Sequence, residues 1–156
     1  MNRSNLQSIV QQLLLHLVSA TSPSSLPTAA QSLTQNMAPA SSDATLTPSQ
    51  SPAYRLALSQ RILNICSQST YDNVTNFEWY LSVLVDLAHV ANADIGAQVR
   101  DQLVDVVGRV KAARRSAVKL MYTLLSDTNM LRNAREEGSC AEVLWAAAWI
   151  CAEYCR

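Results

Sequence analysis

Glycine, phenylalanine and charged residues are scarce in this chain. Its 156 residues include three glycines and one phenylalanine, and 15% are charged, whereas 49% are apolar. The isolated glycines Gly96, Gly108 and Gly138 cannot form a glycine-rich phosphate-binding loop, so nucleotide binding is unsupported. No run approaches the roughly 20 apolar residues that a membrane-spanning helix requires. The sequence therefore predicts neither a nucleotide site nor a membrane span.

The charges are balanced and the cysteines are few. Twelve Lys and Arg residues offset twelve Asp and Glu residues, which argues against binding to nucleic acid by bulk charge. The four cysteines lie within apolar helical patterns, which favours a reducing, cytoplasmic compartment. Cys151 and Cys155 share a helix face at a spacing suited to metal ligands, but two ligands do not make a zinc site. We therefore predict no catalytic residue, no cofactor and no metal, and keep a Cys- or metal-dependent enzyme as the weaker alternative.

Apolar residues recur at helical spacing along most of the chain, and no alternating strand pattern is present. Residues 5–18 form one amphipathic segment. A second begins at Pro52 and is predicted to end near Ser67 and to bury Tyr54, Leu58, Ile62, Ile65 and Cys66. Further segments joined by short polar turns follow. The sequence predicts an all-α fold of antiparallel helix hairpins stacked as a HEAT- or armadillo-like α-solenoid.

A low-complexity stretch divides the helical sequence. Residues 19–52 are rich in Ser, Thr, Pro, Ala and Gln, contain all five prolines and carry one charge, Asp43. Such a composition cannot bury enough apolar surface to order itself. We predict an amphipathic helix over residues 1–18, a disordered Ser/Pro-rich insertion over residues 19–52, and a helical-repeat segment over residues 53–156. The N-terminal helix loosely mimics a signal peptide, but glutamines interrupt its apolar stretch.

Positive charge is concentrated in one part of the chain. Residues 106–126 contain five cations and no acid. Three of the cations recur at four-residue spacing, which lines them up along one helix face. Such a face suits a phosphoinositide head group, a small GTPase or a neighbouring subunit. The alternative is a solvated face whose cations pair with acids on the adjacent helix, such as Asp101 or Asp105. The predicted basic face consists of Arg109, Lys111, Arg115 and Lys119.

The tryptophans are assigned to the core. Trp145 and Trp149 lie four residues apart in the last helical segment and so share a face. Large aromatic side chains usually fill the space between the layers of a solenoid. We predict that both are buried between helices and do not bind a ligand.

Four strings are more specific than the helical periodicity. They are Ile65-Cys66-Ser67-Gln68-Ser69, Thr75-Asn76-Phe77-Glu78-Trp79-Tyr80, Arg109-Val110-Lys111-Ala112 and Glu142-Val143-Leu144-Trp145-Ala146-Ala147-Ala148-Trp149-Ile150-Cys151. Over about residues 54–155 the chain resembles the trunk of the delta-adaptin family, the large subunits of adaptor protein complex 3. The amphipathic helix at residues 5–18 resembles the preceding trunk helix.

The resemblance implies a structural, non-enzymatic subunit of a vesicle coat, peripheral on Golgi or endosomal membranes, that sorts cargo toward the lysosome or vacuole. The implied partners are the small sigma, medium mu and large beta subunits, with recruitment by an Arf-type GTPase. A complete large subunit is several times longer, so the resemblance also implies a fragment or a truncated gene product. The main alternative is a generic helical-repeat scaffold unrelated to vesicle traffic.

Overall fold

The described chain consists of helices joined by short turns. The structure, a computed structural model, describes residues 5–21, 51–91, 93–136 and 138–155. These ranges contain no strand, which confirms the predicted all-α class. None of their helices is long and apolar enough to cross a membrane. The α-helices are α1 Leu6–Thr21, α2 Pro52–Tyr71, α3 Phe77–Val90, α4 Gly96–Arg109, α5 Arg114–Leu125, α6 Thr128–Arg132 and α7 Glu142–Tyr154, with 3-10 turns at Lys111–Ala113 and Asn133–Arg135.

The helices are arranged in two layers. In the first layer, α3 contacts both α1 and α5; in the second, α4 contacts both α2 and α7. Contacts between the layers join α1 to α2, α3 to α4, and α5 to α7. Stacking of successive helix pairs in this way buries a continuous core and is the α-solenoid arrangement that the sequence predicts. The fold prediction is confirmed.

Several helices begin where the sequence places a capping residue. Pro52 occupies the first position of α2, where its missing N–H costs no hydrogen bond. The Asn76 side chain accepts a hydrogen bond from the Trp79 amide at 3.1 Å and so caps α3. Asp127 does the same for α6 by accepting from the Asn129 amide at 2.9 Å. Local polar residues therefore define these boundaries.

Helix α2 loses regular geometry at its C-terminal end. Gln68 is extended, with ψ of 135°, which agrees with the predicted end near Ser67. The next three residues are left-handed, with φ of 55° at Ser69, 58° at Thr70 and 63° at Tyr71. This turn redirects the chain toward α3 and brings the Tyr71 side chain into the core, where it is 7% exposed.

The predicted insertion at residues 19–52 lies largely outside the described residues. Its edges are described: α1 continues to Thr21 instead of ending at residue 18, and α2 begins at Pro52. Although these helices are far apart in sequence, α1 contributes to the same core as the later helices. The largest fully buried side chains are Leu6, Leu17, Ile62, Leu63, Tyr80, Leu81, Leu84, Leu87, Ile95, Leu103, Met121 and Ile150.

The buried face of α2 differs from the prediction. Tyr54, predicted to be buried, is 40% exposed, and Leu58 is only partly buried. In their place the helix buries Arg55 at 5% exposure and Ser59 at 0%. Ile62 and Cys66 are buried as predicted, and Ile65 is partly buried. The prediction missed Arg55 because a search for apolar periodicity passes over a polar residue that finds partners inside the core.

Arg55 joins the first three helices. Its Nε donates to the Ala91 carbonyl at 2.9 Å and its Nη1 to the Leu17 carbonyl at 3.3 Å, while Nη2 donates to the Val90 carbonyl. The Val90 and Ala91 carbonyls lie at the C-terminal end of α3, where backbone oxygens lack helical donors and carry partial negative charge, whereas Leu17 lies one turn before the end of α1. Burial lowers the pKa of Arg55, but a guanidinium stays charged in proteins. Arg55 therefore caps the end of α3 and links it to the C-terminal part of α1.

Candidate interaction surface

Helix α5 has one buried face and one basic face. Its buried side chains, together with Ala113 in the preceding turn, recur every three or four residues, so the opposite side of the helix is turned to solvent. The buried residues are Ala113, Ala117, Met121 and Leu124. On the opposite side lie Arg115, Lys119 and Tyr122, and Lys111 lies in the 3-10 turn before the helix; all four are exposed. We call the row formed by Lys111, Arg115 and Lys119 the basic strip.

The basic strip is a row of separated charges. With a rise of about 1.5 Å per residue, Arg115 and Lys119 are about 6 Å apart along α5. Lys111 lies in the 3-10 turn before α5, where the rise is about 2.0 Å per residue, so it is about 7 Å from Arg115 and the strip is about 13 Å long. In the described ranges, its three cations enter no ion pair. The strip therefore presents uncompensated positive charge to solvent.

Arg109, the fourth member of the predicted basic face, is paired. Its Nε lies 2.6 Å from Oδ1 of Asp105, one turn earlier on α4. The hydrogen bond to Asp105 raises the pKa of Arg109. Asp101, the other acid considered from the sequence, lies 2.7 Å from Nη2 of Arg100. Arg109 is thus paired within its own helix and not with an acid of an adjacent helix, and the basic strip has neither kind of ion pair in the described ranges.

Arg114, the remaining cation of the region, points back onto α4. Its Nε donates to the Val107 carbonyl at 3.1 Å and its Nη2 to the Gly108 carbonyl at 2.9 Å, so it caps the end of that helix. Its guanidinium also lies 4.5 Å from the ring centroid of Tyr154, a cation–π contact between α5 and α7. Arg114 thus has a packing role and does not add to the basic strip.

An acid borders the basic strip on the side of α3. The Ser116 hydroxyl of α5 donates a hydrogen bond to a carboxylate oxygen of Glu78, which lies in the first turn of α3. Glu78 is exposed. The positive surface is therefore a narrow row and not a broad basic area.

Trp145 is exposed, so the prediction that it fills the core is wrong. Its side chain is 58% exposed, and the Arg100 guanidinium lies 6.0 Å from its ring centroid. Trp149 is half-buried and packs edge-on against Tyr154 with centroids 6.0 Å apart. Helix α7 buries Val143, Ala146, Ala147 and Ile150 instead. Trp145 lines a shallow groove of about 530 Å³ together with Arg100, Asp101, Val104 and Asp105.

The four cysteines are free thiols in different surroundings. Burial raises the pKa of Cys66 to about 12 and that of Cys140 to about 11, and it also raises the pKa of the half-buried Cys151. Cys155 is exposed. A thiol with a raised pKa is uncharged at neutral pH and is a poor nucleophile and metal ligand. Among the described residues, no three His, Cys, Asp or Glu side chains are grouped as metal ligands would be.

Comparison with known proteins identifies the family that this arrangement of helices represents. Residues 1–156 match the family described as the adaptin N-terminal region. The chain belongs to the adaptin N-terminal family. The stacked hairpins of this adaptin chain and its family assignment thus agree.

This adaptin chain is also similar to curated delta subunits of the AP-3 complex. It is 45% identical over 101 residues to AP-3 complex subunit delta-1 of Bos taurus, which covers 65% of the chain and 8% of the relative. It is 40% identical over 101 residues to AP-3 complex subunit delta of Dictyostelium discoideum, covering 65% and 9%. For the Arabidopsis thaliana protein of that name the identity is 34% over 93 residues, covering 60% and 10%. These similarities confirm the predicted resemblance to delta-adaptin.

Proposed function

We propose that this adaptin chain is a structural part of a vesicle coat adaptor complex and works by holding helix faces against other subunits. The similarity to AP-3 delta subunits carries the proposal, and the stacked hairpins support it. A solenoid offers an extended surface of exposed helix faces for binding partners. The matched region spans only 8% to 10% of the length of these relatives, so the role is proposed for this segment of trunk.

The proposed partners are the small sigma, medium mu and large beta subunits, with recruitment by an Arf-type GTPase. The complex would attach the chain peripherally to Golgi or endosomal membranes and act in intracellular protein transport toward the lysosome or vacuole. The basic strip, with Arg109 beside it, is the proposed contact surface, because its charge is exposed and uncompensated within the described ranges.

The burial of two of the cysteines fits a protein that binds partners without catalysing a reaction. Burial disfavours the thiolate form of Cys66 and Cys140. We expect iodoacetamide at neutral pH to label the exposed Cys155 first and these two buried thiols only on unfolding. Mass spectrometry of tryptic peptides over a time course would check this. A buried thiol that reacts faster than Cys155 would revive the alternative of a Cys-dependent enzyme.

The decisive test of the adaptor role is co-expression of the whole chain with each small, medium and large AP-3 subunit of the same organism, one at a time. Size-exclusion chromatography would then show which subunit co-elutes, with an unrelated helical-repeat protein as the control bait. We expect selective capture of at least one subunit. Failure of a chain with a helical circular-dichroism spectrum to capture any subunit would overturn the proposal in favour of a generic helical-repeat scaffold.

A further inference from the structure

We propose that the basic strip binds an extended acidic peptide segment of a partner protein. The inference rests on the proposed function in assuming that the chain acts through protein contacts. It specifies the chemistry of the partner and the conformation in which the partner binds. Three observations carry it: the spacing of the charges, the exposed tyrosine in line with them, and the acid on one flank.

The spacing of the basic strip matches an extended chain. Its cations follow one another at about 6 to 7 Å along α5 and the 3-10 turn before it. In an extended strand every second side chain points to the same side, and these side chains are about 6.6 Å apart. Acids at alternate positions of an extended peptide would thus face Lys111, Arg115 and Lys119 in turn. The small mismatch at each step lies within the reach of flexible lysine and arginine side chains.

An exposed aromatic ring lies on the same side of the helix. Tyr122 follows Lys119 by three residues and is 70% exposed. Tyrosine combines a large apolar area with a polar tip and is enriched at protein interfaces. An apolar side chain that follows the acids of the peptide would cover the ring of Tyr122. The face therefore fits a peptide that carries alternating acids followed by an aliphatic or aromatic residue.

The same features disfavour a membrane surface and a phosphorylated head group. A head group with clustered phosphates requires cations that converge on one point, whereas the basic strip spreads its charges along a line. Glu78, held beside the strip through Ser116, would face an anionic membrane with charge of the same sign. A narrow peptide can lie along the row without covering Glu78.

The test uses the whole chain and two fluorescent peptides of identical composition. One alternates aspartate with serine and ends in leucine and phenylalanine; the other groups the aspartates at consecutive positions. Fluorescence anisotropy would measure binding at about 50 mM and about 200 mM salt, because screening weakens contacts between exposed charges. We expect the alternating peptide to bind more tightly than the grouped one and to weaken at the higher salt. Equal binding of the two peptides would overturn the extended register.

Charge-reversal variants locate the site. We expect the double variant R115E/K119E to weaken binding of the alternating peptide by at least roughly tenfold. The matched control is R132E/R135E, which makes the same change in net charge at two exposed arginines outside the strip. The neutral variant R115Q/K119Q is the control for misfolding: its circular-dichroism spectrum should be unchanged. Equal losses in R115E/K119E and R132E/R135E would show a bulk-charge effect and overturn the proposal.

Two further outcomes separate this inference from its rivals. Binding to phosphatidylcholine vesicles with about 20% phosphatidylserine, without binding to the alternating peptide, would assign the basic strip to lipid and overturn the proposal. Peptide binding without capture of any adaptor subunit would uphold the peptide site while overturning the adaptor role. If instead a subunit is captured, R115E/K119E leaves that capture unchanged and no peptide binds, the adaptor role would be upheld and the peptide site overturned.

Discussion

Replacing Arg55 with methionine should destabilise the stack by removing donors from helix ends. Methionine keeps most of the apolar length of the side chain, so packing against the core changes little. The lost groups are the donors to the Leu17, Val90 and Ala91 carbonyls. The variant thus isolates hydrogen bonding and charge from packing.

The expected loss follows from the number of acceptors left without a partner. A buried group left unsatisfied costs about 1–3 kcal/mol, so the Val90 and Ala91 carbonyls at the end of α3 set a range of about 2–6 kcal/mol. The lower end applies, because Val90 is only partly buried and its carbonyl regains water, and because methionine avoids the cost of burying a guanidinium. We expect the R55M variant to lose about 2 kcal/mol of unfolding free energy. The R55K variant should lose less unfolding free energy, because a lysine ammonium group can still donate to some of these carbonyls.

Urea titration followed by far-UV circular dichroism would measure these losses on the whole chain. Hydrogen exchange should in addition show that amides of α1 lose protection before those of α3, because α1 keeps fewer other contacts. The matched control is R61M, an exposed arginine on the same helix, which should change stability by less than about 0.5 kcal/mol. A loss in R55M no greater than that in R61M would refute the capping role.

Three other variants test local features. In G96A the new Cβ would clash with the Glu142 carboxylate and lie 3.1 Å from Cα of Cys140, so Glu142 must move and we expect a loss of about 1–3 kcal/mol by urea titration. In G108A the new Cβ meets no atom within 4 Å, so the variant should gain about 0.5–1 kcal/mol of unfolding free energy. If G96A and G108A changed stability in the same direction, the packing described for these two glycines would be contradicted. The Asn129 amide is the main cause that lowers the pKa of Asp127 in the folded chain below its ordinary value of 3.8. The ionised Asp127 therefore stabilises the folded chain fully above pH 3.8, and this contribution is lost as the pH falls through the folded pKa. Urea midpoints measured from about pH 5 down to about pH 2 should therefore fall less steeply in D127N than in the parent chain.

Sequence periodicity predicted those helices whose apolar residues form one clear stripe. Helix α3 has such a stripe, and it begins at Phe77, directly after the capping Asn76. In α7 apolar residues occur on every side, so periodicity could not tell that Trp145 faces solvent. The contacts of Arg55 were beyond prediction for another reason. Its partners are backbone carbonyls 35 to 38 residues away, and backbone atoms leave no mark in the side-chain pattern.

The candidate surface was predictable in part. Four-residue spacing was enough to place Arg115 and Lys119 on one face of α5, because that side contains no competing apolar stripe. It did not indicate that Lys111 lies in a 3-10 turn before the helix. The pairing of Arg109 with Asp105 follows from the same spacing, and Asp105 was among the acids considered. The role of Arg114 in capping α4 depends on the bend at Val110, with φ of −101° and ψ of 92°, which the sequence does not signal.

The bond from Arg55 to Leu17 makes the first helix an intramolecular ligand of the helices that follow. Its local concentration is determined by the connection between Thr21 and Ser51, and the entropy of closing such a connection grows by only about 0.6 kcal/mol for each doubling in length. The connection can therefore be lengthened by a protease site or a reporter domain at little cost to the stack. A chain cut there should reassemble from two pieces, with a synthetic α1 peptide binding to residues 51–156 in trans.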